Sequence, residues 1–191
     1  MLWLEAETAD GVVGLGETFY AAEAVEAYIH ANLAPIVLGM SAVDIEAVYY
    51  RTRPYVGFVA ASTELRARSA LDIALWDALG KVTGQPISVL LGGRIRSQIP
   101  VYNTCAGNQY VRGTKLGTTE NFGIASSGTD QNYEDLDRFL NDPVGLAGSL
   151  LDMGIDSMKI WPFDFAAEST QGQFISPAEL NKALVPFKAI K

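Results

Sequence analysis

Gly154-Ile-Asp-Ser-Met-Lys159-Ile-Trp-Pro-Phe-Asp164 reads as a short strand with a lysine at its centre. Alternation assigns Met158 and Ile160 to one face and Ser157, Lys159 and Trp161 to the other. Pro162 carries no N–H and stops the ladder. Desolvating an ammonium is costly, so a lysine in a strand needs a partner, a watered mouth or a catalytic task. Outward from this stretch, Val144–Met153 has apolar residues at helical spacing, and Tyr133–Leu140 has the same signal before it. Ser176-Pro-Ala-Glu179 is a capping box with proline at the first helical position. The helix it opens runs to the chain end and is expected to kink at Pro186. Ile99-Pro-Val-Tyr-Asn-Thr-Cys105 is a second strand-like run. Residues 106–131, rich in Gly, Thr, Ser and Asn, form a long irregular stretch of the kind that carries function or mobility. The order strand, loop, helix, strand, loop, helix is a β/α alternation, which predicts a parallel sheet. Two strands cannot close a barrel or bury both sheet faces.

The first half has a different grammar. Leu2-Trp-Leu4 and Val12-Val13 flank Asp10-Gly11, a tight-turn signal that predicts a hairpin over the first 19 residues. A hairpin starting at residue 2 leaves a sheet edge open, and an earlier strand is expected to be missing. Residues 21–33 are alanine-rich, with Ala24, Val25, Tyr28 and Ile29 at helical spacing. A second helix is expected from about Val43 to Arg51. A third runs from Ala67 to Val82, with Ser62 as a candidate cap and Gly84 just past its end. Its centre, Ala70-Leu-Asp-Ile-Ala-Leu-Trp-Asp-Ala-Leu79, is apolar on most sides and is expected to be buried. Pro86 opens a short turn of helix that Gly92-Gly93 ends.

Composition narrows the function classes. A chain of 191 residues with 49% hydrophobic content is long enough for one large domain or two small ones. The mean hydropathy is +0.14, as expected of a packed globular protein. No apolar run is long enough to span a bilayer, so no membrane role is expected. The N-terminus has acidic residues and no basic leader region, and Cys105 is the only cysteine. Both fit a cytoplasmic, reducing compartment. Net charge is −8 without a Lys/Arg cluster, which argues against nucleic acid as a partner.

Few residues carry chemistry on their own. Gly14-x-Gly16 lacks the third glycine and the βαβ setting of a nucleotide loop. His30, the only histidine, sits among alanines on a helix and is expected to be exposed. Cys105 reads as a small buried residue, with no histidine near it in sequence. Asp72 and Asp77 lie inside the most apolar helix and are read as structural ties to neighbouring backbone or to Arg68. Glu134, Asp135 and Asp137 read as a solvated first helical turn favoured by the helix dipole, not as a metal site.

In combination the motifs are more specific. Gly14-Leu-Gly-Glu-Thr18 after a hairpin, Arg68-Ser-Ala-Leu-Asp-Ile-Ala-Leu-Trp-Asp77 and Leu90-Leu-Gly-Gly93 resemble the capping domain of the mandelate racemase/muconate lactonizing enzyme group of the enolase superfamily. Ile99–Cys105 is similar to the first strand of its barrel, and Ser157–Trp161 to the second. The resemblance implies an α+β capping domain over residues 1–96, its first strand absent. Residues 97–191 would then be the first two β/α units of an incomplete (β/α) TIM-type barrel. It implies an enzyme that abstracts the proton alpha to a carboxylate with Mg2+, whose cation stabilises the developing oxyanion. The family's carboxylate metal ligands come from the third, fourth and fifth strands, so the metal's ligands are not in this chain.

The same resemblance implies roles for residues. Lys159 becomes the catalytic residue, binding or polarising the substrate carboxylate, with a structural ion pair as the alternative. Thr18, Phe19 and Tyr20 match a substrate-facing loop, against the alternative of aromatic packing at a hairpin corner. Asn103, Trp161 and Asp164 are further substrate-binding candidates at the barrel mouth. Many members carry Lys-x-Lys on the second strand. Here the pattern is Lys159-Ile160-Trp161, and tryptophan is no base at neutral pH. That departure resembles the acid-sugar dehydratases, in which a histidine on a later strand does more of the proton transfer. The implied partner is a small carboxylate such as a sugar acid, in a parent that is a homo-oligomer. Dehydratase and racemase or epimerase chemistry both remain open. Two other readings compete: a non-catalytic binding or assembly module that keeps the capping domain, and an unrelated α/β protein. The last leaves Ala70–Gly93 unexplained. Carboxylates at barrel-strand spacing past Lys191 would favour the enzyme.

Overall fold

The structure is a computed structural model that describes residues 1–56, 61–107 and 134–191. It divides into two compact units, Met1–Ser97 and Gln98–Lys191. The long irregular stretch expected at 106–131 lies almost wholly outside the described residues.

In the first unit, β1 (Leu2–Glu7) pairs antiparallel with β2 (Val13–Thr18), Leu2 opposite Thr18 and Glu7 opposite Val13. Gly11 closes the connection: its N–H donates to the Thr8 carbonyl at 2.9 Å with φ +78°, a left-handed geometry that glycine adopts without a Cβ clash. Leu2 and Leu4 turn toward the core while Trp3, Glu5 and Glu7 face out, the period of two expected of a half-buried strand. Helix α1 (Ala22–Tyr28) continues through a π-helical turn (Ile29–Leu33) into α2 (Ala34–Val37). Pro35 explains the widening. It has no N–H to give and its ring collides with the carbonyl four residues back, so the Ala34 N–H reaches Ile29 instead. His30 lies in this turn and is exposed. Helix α3 (Ile45–Thr52) follows.

The 21-residue helix α4 (Thr63–Thr83) organises the unit. Gly84 ends it in the left-handed conformation, as its position predicts. Ser62 stands at the N-terminal boundary but makes no side-chain cap, so that expectation is corrected. The expected burial of Ala70–Leu79 holds except at Ile73. Ala67, Ala70, Leu71, Ala74, Leu75 and Ala78 are buried, while Ile73 is 45% exposed. The buried alanines recur at i, i+4 and i+8 and meet Gly14 and Gly16 of β2. A Cβ on Gly14 would strike the Ala74 carbonyl, and one on Gly16 the Ala70 carbonyl. Gly14-x-Gly16 is therefore a close helix–strand approach. Asp77 accepts the Leu15 N–H at 2.8 Å, and Lys81 donates to the Val13 carbonyl at 2.8 Å. Asp77 and Lys81 also pair at 2.7 Å. Helix α5 (Ile87–Leu90) ends at Gly92 and Gly93, both with positive φ.

In the second unit, α6 (Asp135–Asn141) and α7 (Pro143–Asp152) form where helical signals were read. Asp142 caps α7 by accepting the Gly145 N–H at 3.1 Å, with Pro143 at the first position. The two expected strands are reduced to a single parallel bridge, Asn103 with Met158. The Asn103 N–H donates to Ser157 at 3.0 Å and its carbonyl accepts from Lys159 at 2.8 Å. The ladder stops there for a local reason. Cys105, which would pair next, takes φ +52° and gives its N–H to the Asn103 side chain at 2.8 Å. This is an Asx turn, in which an asparagine satisfies the backbone two residues on.

Helix α8 (Asp164–Thr170) was not anticipated from the sequence. Helix α9 (Pro177–Ala183) begins with both halves of the capping box: Ser176 Oγ accepts the Glu179 N–H at 3.2 Å, and the Glu179 carboxylate accepts the Ser176 N–H at 2.8 Å. Helix α10 (Val185–Ile190) carries Pro186 in its first turn, which accounts for the break before it. The core consists of Cys105, Leu136, Phe139, Leu146 and Leu150, with Met158, Ile160 and Trp161 packed against it.

Candidate functional site

The sequence-derived site residues fall into two groups, one in each unit. In the second unit Asn103 is the organiser. Its side-chain amide donates to Asp135 at 2.8 Å while its carbonyl oxygen holds Cys105. Both ends of the side chain are thus used in tying the bridge to α6. The reading of Glu134, Asp135 and Asp137 as a wholly solvated turn is corrected accordingly. Glu134 is buried, Asp135 accepts from Asn103, and Asp137 alone of the three is exposed.

Lys159 is held at the bridge by its own backbone N–H, and its side chain is exposed. Asp164, in the first turn of α8, is partly buried. Burial raises its carboxyl pKa above the ordinary value, and the positive charge of Lys159 opposes that rise. The two groups sense each other electrostatically, with no ion pair between them among the described residues. Trp161 does not share the face of Lys159, as strict alternation had required. It turns with Met158 and Ile160 into the core, its ring centroid 6.3 Å from that of Phe139. The ladder has already ended at that point, so alternation no longer applies. Cys105 is fully buried, and burial together with the Asp135 charge pushes its thiol to about 11. It stays a neutral thiol at physiological pH, unsuited to nucleophilic work.

In the first unit, Thr18, Phe19 and Tyr20 form the corner between β2 and α1. Phe19 and Tyr20 are each at least 40% exposed, their centroids 4.6 Å apart. Their partner is Arg66 of α4, which no sequence signal marked. Its guanidinium carbon lies 5.5 Å from the Phe19 ring and 5.2 Å from the Tyr20 ring, within cation–π range. Its Nη1 donates to the Phe19 carbonyl at 3.0 Å. Thr18 Oγ1 donates to the same carbonyl at 3.3 Å. The two are 47 positions apart in sequence, so periodicity within one element could not join them.

Among the described residues, no three carboxylate, histidine or cysteine side chains gather as a metal site requires. These residues do not fit a bound magnesium. Among the described residues, no helix is long and apolar enough to cross a membrane.

Residues 1–92 match the family model described as the mandelate racemase/muconate lactonizing enzyme N-terminal domain. The chain is 36% identical over 107 residues to a D-mannonate dehydratase of Novosphingobium aromaticivorans, which covers 55% of this chain and 27% of that protein. It is 37% identical over 106 residues to an L-rhamnonate dehydratase of Saccharopolyspora erythraea, covering 54% and 26%. An enolase of the mandelate racemase subgroup from Agrobacterium tumefaciens superposes with a TM-score of 0.75 at 41% identity, covering 98% of this chain and 42% of that structure. The matched segments thus span about a quarter of the length of the curated relatives.

Proposed function

We propose that this chain, whose residues 1–92 match the mandelate racemase/muconate lactonizing enzyme N-terminal domain, forms part of a magnesium-dependent sugar-acid dehydratase. The observation that carries this reading is the likeness of just over half of the chain to a D-mannonate dehydratase and an L-rhamnonate dehydratase. In this reading the first unit is the capping domain, and residues 97–191 are the first two β/α units of the barrel. The parallel pairing of Asn103 with Met158 supports that assignment. The metal would be held by carboxylates that are not in this chain, and it would stabilise negative charge on the substrate carboxylate.

The reaction removes the proton alpha to the carboxylate and leaves its electron pair in an enediolate. The beta hydroxyl then departs as water, and the enol rearranges to a 2-keto-3-deoxy acid. The backbone of Lys159 is held at the bridge and its side chain is exposed, and its ammonium would pair with the substrate carboxylate as charge builds there. Trp161 stands where many members carry a second lysine and is packed in the core, so the base would come from another residue. Within the first unit Thr18, Phe19 and Tyr20 would be substrate-binding residues, and within the second Asn103, Trp161 and Asp164 would be. The parent would act as a soluble homo-oligomer.

The test uses the protein encoded when the reading frame continues past Lys191. It is incubated with D-mannonate, L-rhamnonate and related aldonic acids in deuterated buffer, with and without a chelator. The expected result is a keto acid product that disappears on chelation. Exchange of the alpha proton without product would move the reading from dehydratase to racemase or epimerase. Neither exchange nor product from any acid would reject the enzyme reading and favour a binding or assembly module.

A further inference from the structure

We propose that Arg66 is a positioning residue that holds the corner from Thr18 to Ala21 in one conformation and thereby sets which substrates that corner admits. The second half of this statement rests on the reading of the corner as substrate-facing. The first half stands on geometry in the first unit alone.

The corner is a place where the chain needs help. β2 ends at Thr18 and α1 begins at Ala22, so three residues must reverse the chain direction. Tyr20 takes φ +67° and Ala21 φ +49°. Neither is glycine, and two successive side chains in the left-handed region persist only where their surroundings impose it. The rings of Phe19 and Tyr20 also stay partly in water, so burial alone does not fix them.

Arg66 supplies what the corner lacks. It projects from the first turns of α4, an element anchored independently by its packing on Gly14 and Gly16. One flat guanidinium group covers both rings, and one of its N–H groups holds the Phe19 carbonyl. The Thr18 hydroxyl donates to the same oxygen, so the peptide that opens the corner is fixed from two sides. Val25, fully buried in α1, then donates to the Ala21 carbonyl at 2.9 Å, which carries the corner's geometry into the helix. A lysine could reach the carbonyl but could not cover two rings with a planar face, because its charge is a point on a flexible stem.

The first experiment is an NMR study of the chain as it stands, unsubstituted and as Arg66→Met and Arg66→Lys. In the unsubstituted chain, the Arg66 side-chain protons next to the guanidinium should be shifted by the rings they face. Averaged, solvent-like shifts there would overturn the proposal without any substitution. In Arg66→Met, the backbone shifts of Tyr20 and Ala21 should lose their left-handed signature while those of Leu15 and Ala74 stay in place. Arg66→Lys should restore part of that signature. Unchanged Tyr20 and Ala21 shifts in Arg66→Met would overturn the proposal. The second experiment measures kcat and KM for several sugar acids in the continued enzyme. Arg66→Met should change the ratio of KM values between two acids by about tenfold, with a smaller change in kcat. A displaced corner with an unchanged KM ratio would overturn the substrate half. An unsubstituted enzyme that turns over no sugar acid counts against the functional reading instead, and the chain's own shifts still decide the role of Arg66.

Discussion

Lys159 and Asp164 flank Pro162, and their different surroundings give them different tasks. Lys159 is exposed, so its charge costs the fold little. Substituting Lys159 with Met should leave thermal stability of the chain nearly unchanged. In the continued enzyme the same change should lower turnover of sugar acids roughly tenfold to a few hundredfold, because a hydrogen bond to a charged group contributes about 1.5–3 kcal/mol. Steady-state kinetics beside a melting curve checks both halves, and unchanged turnover would reduce Lys159 to a surface cation. Two aspartates of α4 make opposite predictions about pH. Hydrogen bonds from Lys81 and from the Leu15 N–H hold the Asp77 carboxyl below its ordinary 3.8. The stability it contributes is present above that value and is lost as pH falls through its folded pKa. Asp77→Asn should therefore destabilise the chain at neutral pH by about 1 kcal/mol, with the gap closing in acid. Asp72 is shifted upward, chiefly by burial and then by Glu46, against the pull of Arg68. Its charged form opposes folding above its folded pKa, so Asp72→Asn should stabilise the chain at neutral pH and not in acid. Denaturant titrations at several pH values separate the two. The structural role of Asp77 was legible in the sequence, as an acid embedded in an apolar helix needs a donor. Which donor it finds was not, because Leu15 is 62 positions away.

At the scale of elements, legibility followed the range of the interactions. The hairpin turn at Gly11, the stop of α4 at Gly84 and the capping box of α9 are all made by residues within a few positions of each other. Each was readable from residue type and spacing. The strand runs at 99–105 and 157–161 were read from composition, yet the ladder depends on whether a partner's backbone is available at each step. Asn103 and Cys105 divert that backbone into an Asx turn. Helix α8 follows Pro162 with no side-chain cap, so its start carried no sequence signal. The close approach of α4 to β2 was hidden for another reason. Gly14-x-Gly16 could be rejected as a nucleotide loop from spacing, but the helix carbonyls that lie over it come from α4, more than fifty positions away. Gly16→Ala should cost about 1–3 kcal/mol, since the new methyl meets backbone that cannot rotate away. Gly148, with open space around it, provides the comparison: Gly148→Ala lies inside α7 and should be neutral or mildly stabilising. Equal losses in the two variants, read from thermal melts, would show that the helix–strand contact is not limiting.

At the scale of the whole molecule, each unit has its own core and each leaves large apolar side chains in water. The first gathers Val25, Leu33, Ile45, Val48, Leu71 and Leu75 into one cluster, with Leu2 and Leu4 of the hairpin packed against it. The second has a smaller buried core and leaves Leu151, Met153, Phe174 and Val185 each more than half exposed. A cleft lined by Leu140, Pro162, Phe165, Ala183, Val185 and Pro186 adds apolar wall, with Glu179 and Lys182 also lining it. Helices α8, α9 and α10 thus present faces whose residue types suit an interior. In the proposed enzyme the rest of the barrel would cover them. In this chain alone they meet water, and contiguous apolar surface drives association. Sedimentation velocity across a hundredfold concentration range should therefore show the chain associating as concentration rises. Val185→Lys together with Phe174→Lys should shift it toward monomer, because two charges on that surface repel a second copy. A chain that stays monomeric at every concentration without the lysines would count against reading residues 97–191 as part of a larger barrel.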